Sequence, residues 1–288
     1  MIKLVLCDVD NTLVPYNEHP VCPQTLEAID DLTRAGIRFG LATGRDVCEL
    51  ERIFGGADAP LQTGILSNGK KLYVDGELKR LTLIERDGMV RLASEVRDIP
   101  GTFVCVYPLH TDVRNPVWCL GAENEDVERF VKQFEFAGTL TDEVPDVPII
   151  GATVACSASQ EHFDQILDRF AQITPQFDFV QPTSHWCDIL PRGLNKGTAL
   201  DELLGLLDID RDEVMVFGDA DNDLSLLRGV RHSVAVANAT PAVREAARWH
   251  IGACEDHAVA AALHELAHAA HTGQTPGFMR GWTRREGA

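Results

Sequence analysis

Two blocks of alternating strand and helix signals, separated by a middle region of different character, constrain the fold of this chain most strongly. Near the beginning, IKLVL (2–6) precedes a helical stripe over 24–35, and IRFGLA (37–42) follows it. EVMVFG (213–218) and SVAVA (233–237) repeat the pattern near the other end. Continuous apolar runs predict strands that are covered on both faces. Their alternation with helices predicts an α/β fold with a doubly wound, Rossmann-like parallel sheet.

The sequence pattern in the middle of the chain predicts an inserted α+β domain. It offers two longer helix candidates, 123–135 and 159–171, and shorter apolar segments such as TFVCVY (102–107). After Gly273 the sequence shows no periodicity, which is typical of a loosely ordered tail. The predicted bounds are therefore 1–80 and 189–272 for a discontinuous core, 81–188 for the insert and 273–288 for the tail.

Charge and cysteine content exclude several classes of partner. The 288 residues contain 26 Lys+Arg and 44 Asp+Glu, a net charge of −18. Such an acidic chain repels nucleic acid and anionic membrane surfaces. No apolar run is long enough to span a membrane, and MIKLVLCDVDN is too short and acidic for a signal peptide. The 8 cysteines form no CxxC pair, so we expect reduced thiols and a cytoplasmic protein.

Polar and charged residues stand where the predicted core strands end. Asp8 and Asp10 follow the first strand, and Thr43 and Gly44 follow the second. Ligands bind beyond the carboxyl ends of strands in open parallel sheets, and a Thr–Gly turn before a helix forms an anion nest. Lys196 opens a later helix, where a cation is unfavourable unless solvated or held by an anion. Each feature alone also fits an ordinary solvated turn or a surface lysine.

The segment VFGDADND (216–223) adds three acids on alternate positions, Asp219, Asp221 and Asp223. A calcium loop of the EF-hand type requires glycine at its sixth position and glutamate at its twelfth. Counted from Asp219, these positions hold Leu224 and Val230. The pattern therefore excludes an EF-hand and leaves a catalytic metal site or a solvated turn.

Taken in order, these motifs resemble those of the haloacid dehalogenase-like (HAD) phosphohydrolases. That family has DxDxT after the first strand, Ser/Thr after the second, a later Lys or Arg, and paired acids in GDxxND. The matching segments here are Asp8–Thr12, Thr43, Lys196 and Gly218–Asp223. The insert, together with SNG (67–69) and ILPRGLNKGTAL (189–200), resembles the Cof-type branch, which carries an α/β cap.

The resemblance implies magnesium-dependent hydrolysis of phosphomonoesters through an aspartyl-phosphate. Asp8 would be the nucleophile and Asp10 the general acid and base. Mg²⁺ would be held by Asp8, Asp219 and the Asp10 backbone carbonyl. Thr43, Gly44 and Lys196 would bind the phosphoryl oxygens. Supporting roles fall to Asp223, Asn222, Thr12, Arg45 and Asn68.

Substrate selection is expected in the insert, because the core motifs handle phosphate alone. The resemblance implies a small phosphorylated metabolite, with a sugar phosphate as one class. The candidate residues are Arg114, His185, Trp186 and Asp188. Each of the four also fits a structural role, such as hinge packing for Trp186 or an exposed loop charge for Arg114. No oligomeric state is assigned.

Three alternative functions stay open. A phosphomutase uses the same chemistry with a sugar alcohol in place of water, and a phospho-acceptor module keeps its aspartyl-phosphate. HELAH (264–268) fits the H-E-x-x-H pattern of zinc proteases, in which Glu265 would be the base. The extended zinc motif requires glycine at 271 and histidine at 274, where this chain has His271 and Gln274. An amphipathic helix accounts for HELAH without a metal.

Overall fold

The computed structural model describes residues 1–16, 20–57, 59–109, 117–121 and 138–280. Contacts divide the chain into two compact units. The core unit consists of Met1–Leu81 and the chain from Asn195 onward, and the insert unit is Thr82–Leu194. The helix expected over 123–135 lies outside the described residues.

The core unit is built on an eight-stranded sheet in the order β14-β13-β12-β1-β2-β3-β4-β5. Its strands, numbered in chain order, are β1 (Leu4–Cys7), β2 (Arg38–Ala42), β3 (Gly64–Leu66), β4 (Lys71–Val74), β5 (Glu77–Leu81), β12 (Val214–Gly218), β13 (His232–Ala235) and β14 (Trp249–His250). All pairs from β14 to β3 are parallel, and β4 and β5 add an antiparallel hairpin at one edge. Every residue of β1 and β12 is buried, as their continuous apolar sequences predict.

Helices cover this sheet because their apolar residues recur at helical spacing. The helices of the core unit are α1 (Pro23–Arg34), α2 (Val47–Ile53), α5 (Lys196–Leu207), α6 (Leu224–Gly229), α7 (Pro241–Ala246) and α8 (Ala258–Thr272). In α1, Ala28, Ile29 and Leu32 form the buried stripe, and Pro23 stands in the first turn, where its missing N–H has no helical partner.

The register of the central strands aligns the ends that carry the candidate residues. Cys7, the last residue of β1, lies beside Phe217 of β12 and Leu41 of β2. The segments that follow these three strands therefore leave the sheet at one edge. This edge holds the acids after β1 and β12 and the Thr43–Gly44 turn after β2.

The insert unit contains a six-stranded sheet in the order β10-β11-β9-β6-β7-β8. Its strands are β6 (Thr102–Pro108), β7 (Val117–Leu120), β8 (Gly138–Thr141), β9 (Ile149–Cys156), β10 (Phe177–Thr183) and β11 (Trp186–Pro191), and its described helices are α3 (Arg86–Val96) and α4 (Gln160–Ile173). Alternate strand residues such as Val104, Val154 and Ile189 pack with Phe163 and Phe170 of α4 in one apolar cluster. The opposite face of the sheet carries a smaller cluster.

Two bounds differ from the sequence-based expectation. The second border lies at Leu194, beyond the expected 188, because β11 runs to Pro191 and pairs with strands of the insert sheet. Within the expected tail, Gly277–Met279 form a 3₁₀ turn, and Phe278 and Met279 pack, partly buried, against the core cluster. Residues 281–288 lie outside the described part of the chain.

The expected fold class is confirmed: a mostly parallel α/β core carries an inserted α+β unit. Across the described ranges, no helix combines the length and apolar character needed to cross a bilayer.

Candidate active site

Three carboxylates meet beyond the carboxyl ends of β1 and β12. Asp8, Asp219 and Asp223 are 7%, 9% and 0% exposed. One carboxylate oxygen of each lies within 4.8 Å of the others. Burial of charged acids is unfavourable unless cations or hydrogen bonds compensate it, so this cluster needs a counter-charge.

Lys196 supplies part of that charge. Its Nζ donates to Asp8 Oδ1 at 2.8 Å and to Asp223 Oδ1 at 2.7 Å, and the side chain is buried. Burial alone would lower the pKa of Lys196, but Asp223 and Asp8 raise it, so the ammonium stays charged. The two carboxylates explain how a cation is tolerated at the positive end of α5.

One lysine does not balance three acids. Burial, and then the charge of Asp223, raise the pKa of Asp219 to about 6 against an opposing hydrogen bond from Thr12. That bond runs from Thr12 Oγ1 to Asp219 Oδ1 at 2.8 Å. Burial likewise raises the pKa of Asp8 well above its usual range. Raised carboxyl pKa values mark a place where a further cation would be stabilising.

The donor set fits a hard divalent cation such as Mg²⁺, which prefers oxygen ligands. Lys196 donates to one carboxylate oxygen of Asp8, and Thr12 donates to one carboxylate oxygen of Asp219. Both oxygens of Asp223 accept hydrogen bonds, because Oδ2 receives the backbone N–H groups of Asp219 at 3.1 Å and Ala220 at 3.2 Å. Asp8 and Asp219 are therefore the candidate metal ligands. Asp223 fixes the turn that carries Asp219.

A glycine makes this turn possible. A Cβ atom at Gly218 would lie 2.7 Å from Asp223 Cβ, closer than side chains approach. Gly218 thus lets Asp223 fold back beneath Asp219. Asp221, between the two, is exposed and accepts a hydrogen bond from Thr240 Oγ1 at 2.9 Å. The three acids of this segment therefore have different environments, and Asp221 is not a member of the cluster.

Asp10 is held separately from the buried acids. Arg45 donates from Nε to Asp10 Oδ2 and from Nη2 to Asp10 Oδ1, each at 2.7 Å. Arg45 also contacts Glu49 Oε1 at 3.2 Å. The loop that presents Asp10 is a tight turn, in which Asn11 adopts a left-handed φ of 57° and Val14 N–H donates to the carbonyl of Val9. This turn directs Thr12 towards Asp219.

Two of the three expected phosphate-binding residues, Thr43 and Gly44, lie directly after β2. Thr43 is buried, and its Oγ1 accepts the N–H of Arg45 at 3.2 Å. The N–H of Asn68 donates to the Thr43 carbonyl at 3.0 Å, and a Cβ at Gly44 would lie 3.1 Å from Asn68 Nδ2. Asn222 Nδ2 reaches Asn68 Oδ1 at 3.5 Å. The structure therefore brings together the segments after β2, β3 and β12.

The turn after β3 is conformationally strained. Ser67 and Asn68 both have positive φ, 52° and 57°, although neither is glycine. Consecutive residues in this region are uncommon and concentrate at functional sites, where surrounding contacts hold them. Both are buried.

The candidate residues of the insert unit divide into a turn and a hydrogen-bonded group. Trp186 Nε1 donates to Asp188 Oδ1 at 3.2 Å, and Thr153 Oγ1 lies 3.5 Å from the same oxygen. His185 is exposed in the β10–β11 turn, with a φ of 63°, and its N–H donates to Gln160 Oε1 at 3.2 Å. Arg114 lies outside the described residues.

The HELAH segment lies on α8, and two of its polar side chains, His264 and Glu265, have partners within the core unit. His264 Nδ1 is 3.0 Å from Asp31 Oδ2 of α1. Glu265 Oε2 accepts the backbone N–H groups of Gly277 and Phe278. Among the described residues, the one group of three or more potential metal ligands is the Asp8, Asp219 and Asp223 cluster. These contacts fit a helix that anchors the following segment.

Sequence reasoning did not identify several residues that support the site. Asn195 caps α5 by accepting the N–H groups of Gly197 and Thr198, and so fixes the helix turn that carries Lys196. The Asn-x-x-Thr spacing was the available signal. Glu49 follows Arg45 by four residues, a helical ion-pair spacing. Thr153 gave no signal, because its contact with Asp188 depends on strand pairing.

A family model described as haloacid dehalogenase-like hydrolase matches residues 5–263, which include every core candidate described above. The chain belongs to this hydrolase family. An HMP-PP phosphatase of Yersinia pseudotuberculosis serotype O:1b (strain IP 31758) is 29% identical over 291 residues, covering 96% of this chain and 100% of that protein. The expected resemblance and the expected enzyme class, a HAD-like phosphatase, are thereby confirmed.

Solved structures of this family share the fold. SMU.1108c from Streptococcus mutans UA159 superposes with a TM-score of 0.77 at 20% identity, covering 91% of this chain and 98% of that chain. The HAD subclass IIB sugar phosphatase BT4131 gives a TM-score of 0.73 at 20% identity, with coverage of 94% and 99%. At these identities the structural matches establish the fold alone.

Proposed function

We propose that this chain is a magnesium-dependent phosphatase that hydrolyses small phosphorylated metabolites through an aspartyl-phosphate. The observation that carries the proposal is the buried cluster of Asp8, Asp219 and Asp223 around Lys196. The names of the relatives, an HMP-PP phosphatase and a sugar phosphatase, support a small phosphorylated substrate.

Asp8 is the proposed nucleophile. One of its carboxylate oxygens bonds to phosphorus in line with the leaving group, and the bond from phosphorus to the leaving alkoxide breaks. The ammonium of Lys196 at 2.8 Å favours the ionised carboxylate that this attack requires. In the second half-reaction, water attacks phosphorus, which releases inorganic phosphate and restores Asp8.

Asp10 is the proposed general acid and base, and Arg45 its positioning residue. Asp10 donates a proton to the leaving alkoxide and later accepts one from the attacking water. The two-pronged contact from Arg45 fixes the plane of the Asp10 carboxylate.

Mg²⁺ is the proposed cofactor, with Asp8, Asp219 and the Asp10 carbonyl as ligands. When bound, it would neutralise charge on the phosphoryl group and on the acids themselves. Asp223 keeps Lys196 and the backbone of Asp219 in place through both of its oxygens. Thr12 orients Asp219 through its hydroxyl.

The phosphoryl oxygens are proposed to bind at the segments after β2 and β3 and at Lys196. Thr43, the N–H of Gly44 and Lys196 supply donors, while Asn68 and Asn222 brace the turn beside them. Preorganised donors at developing charge account for much of the rate of such reactions. For the leaving group, we propose recognition by Trp186 and Asp188, whose hydrogen bond presents an aromatic ring beside a carboxylate. His185 and Arg114 complete this proposed set.

A panel of phosphorylated metabolites tests the proposal, assayed for phosphate release with Mg²⁺, with a chelator, and with Asp8→Asn. We expect at least one member to be hydrolysed, and both the chelator and the substitution to abolish that activity. Phosphate that moves to a second alcohol instead of water would favour a phosphomutase. A stable aspartyl-phosphate without turnover would favour a phospho-acceptor module. Asp221→Asn is the matched control, because Asp221 lies outside the cluster.

A further inference from the structure

Two cysteines face each other across neighbouring strands of the insert sheet. Cys105 of β6 and Cys119 of β7 are directly opposite in the antiparallel register. Their sulfur atoms lie 3.8 Å apart, and both residues are buried with free thiols. None of the phosphatase roles above uses either residue.

The backbone geometry suits a covalent link between them. Residues directly opposite on antiparallel strands have Cα atoms about 4.5 or 5.5 Å apart, depending on the hydrogen-bonding pattern of the pair. A disulfide bridges Cα separations of about 4.4–6.8 Å. Both kinds of strand pair fall within this range, so rotation of the two side chains brings the sulfur atoms together without moving the strands.

The two thiols are chemically unequal. Burial raises the pKa of Cys105 well above its usual range. The hydrogen bond from Cys105 lowers the pKa of Cys119, against the opposing effect of burial. Because the thiolate is the reactive form in thiol–disulfide exchange, Cys119 is the better first nucleophile and Cys105 the resolving thiol.

The other described cysteines of the same sheet lack such a partner. Cys156 of β9 accepts a hydrogen bond from Thr102 Oγ1 at 3.1 Å. Cys187 of β11 lies 3.7 Å from its neighbouring carbonyl at Asp188. Both are buried to a similar degree. They are therefore internal controls for any chemistry that depends on the pairing of two thiols.

We propose that Cys105 and Cys119 form a reversible dithiol–disulfide couple that small disulfides such as glutathione disulfide oxidise. Both thiols are buried, so the exchange takes place in locally opened forms of the insert sheet. There the Cys119 thiolate attacks one sulfur of the small disulfide, whose S–S bond breaks and releases one thiolate. Cys105 then attacks the Cys119 sulfur of the mixed disulfide, and its proton passes to the second small thiolate as that group leaves. In sum, two protein thiols and one small disulfide give one protein disulfide and two small thiols.

A redox titration of the full chain tests the couple. The protein is equilibrated in mixtures of reduced and oxidised glutathione, quenched with acid, denatured and labelled with N-ethylmaleimide before peptide mass spectrometry. We expect Cys105 and Cys119 to lose labelling together, by about tenfold or more across the titration. A linked peptide should appear at the same potential, while Cys156 and Cys187 stay labelled. The loss should reverse when reduced glutathione is restored.

Two variants sharpen the result. In Cys105→Ser the linked peptide should vanish, and a glutathione adduct should accumulate on Cys119 because no resolving thiol remains. Cys187→Ser, the matched buried control, should leave the linked peptide unchanged. If wild-type Cys105 and Cys119 keep full labelling in the most oxidising mixture, or carry glutathione adducts without a linked peptide, the proposal is wrong. The wild-type titration decides this even if a variant fails to fold.

Discussion

The acid cluster and the HELAH helix both carry metal-site patterns in the sequence, yet the core unit uses them differently. Asp8, Asp219 and Asp223 come from segments about two hundred residues apart and are gathered by strand order into a buried group. His264, Glu265 and His268 lie within one helical turn on the accessible side of α8. A helix brings such side chains onto one face whether or not they share a ligand. Buried acids, in contrast, persist when a compensating charge stabilises them.

The largest expected effect is the loss of phosphate release when a residue of the acid cluster, Asp8, is replaced. Asp8→Asn should reduce phosphate release by about 10³-fold or more, because an amide oxygen is a poor nucleophile. Initial rates and circular dichroism on the same samples measure activity and folding separately. A folded Asp8→Asn enzyme with near wild-type rate would remove the nucleophile assignment, and Asp221→Asn should behave like wild type.

The stability of the core should depend on Lys196 nearly as strongly. Lys196→Met leaves Asp8 and Asp223 without their ammonium partner, and losing one partner of a buried pair costs about 3–5 kcal/mol. Urea unfolding in chelator measures the loss. The exposed pair of Lys3 with Glu213 gives the control, Lys3→Met, which should change stability little. Equal losses of unfolding free energy in the two variants would mean that the buried Lys196 contacts stabilise the fold no more than the exposed Lys3–Glu213 pair does.

The uncompensated charge should also make stability depend on pH. Burial and Asp223 raise the pKa of Asp219 from 3.8 to about 6. The pKa of Asp219 is higher in the folded protein than in the unfolded chain, so protonation of Asp219 stabilises the fold. This contribution to the free energy of unfolding is complete below about pH 4 and is lost as pH rises through about 6. The shift corresponds to about 3 kcal/mol at 1.36 kcal/mol per unit.

Urea unfolding of chelator-treated protein between roughly pH 4 and 8 measures this contribution. Asp219→Asn should lack it, and Mg²⁺ should restore wild-type stability at the higher pH. Parallel pH profiles for wild type and Asp219→Asn would contradict the raised pKa as a source of the dependence.

Affinity for Mg²⁺ should distinguish Asp219 from Asp221. Asp219→Asn should weaken Mg²⁺ binding by about 100-fold, since changes to outer-shell partners alone already cost about 10–100-fold. Isothermal titration calorimetry measures this independently of activity. Asp221→Asn should bind Mg²⁺ as wild type does, because its carboxylate is exposed and pairs with Thr240. A similar loss in both variants would mean that the ligand assignment is wrong.

Much of the core site was predictable from the sequence, because the local sequence patterns and the topology of the sheet place the same residues together. Acids after two apolar runs meet at one sheet edge once the strands are parallel neighbours, which alternation with helices implies. The Asp-Gly dipeptide at 75–76 is typical of a two-residue hairpin turn, and both residues have the positive φ that such a turn requires.

Other contacts depend on information that spacing does not contain. The Arg45–Asp10 contact requires the exact path of the loop after β1, and the pairing of Cys105 with Cys119 requires the antiparallel register of β6 and β7. Glu265 binds backbone amides of a segment with no periodicity, so no side-chain pattern predicts the contact. Antiparallel register and backbone partners are set by tertiary packing.

The smallest effect tests the HELAH side of the comparison. Glu265→Gln removes the charge from the acceptor of the Gly277 and Phe278 amides, so unfolding free energy should fall by about 1 kcal/mol. Phosphate release should not change, because Glu265 lies outside the acid cluster. Glu27→Gln, an exposed change on α1, is the matched control. Stoichiometric zinc in purified protein that disappears with His268→Ala would instead make the helix a metal site, because the two histidines are the ligands of the H-E-x-x-H pattern.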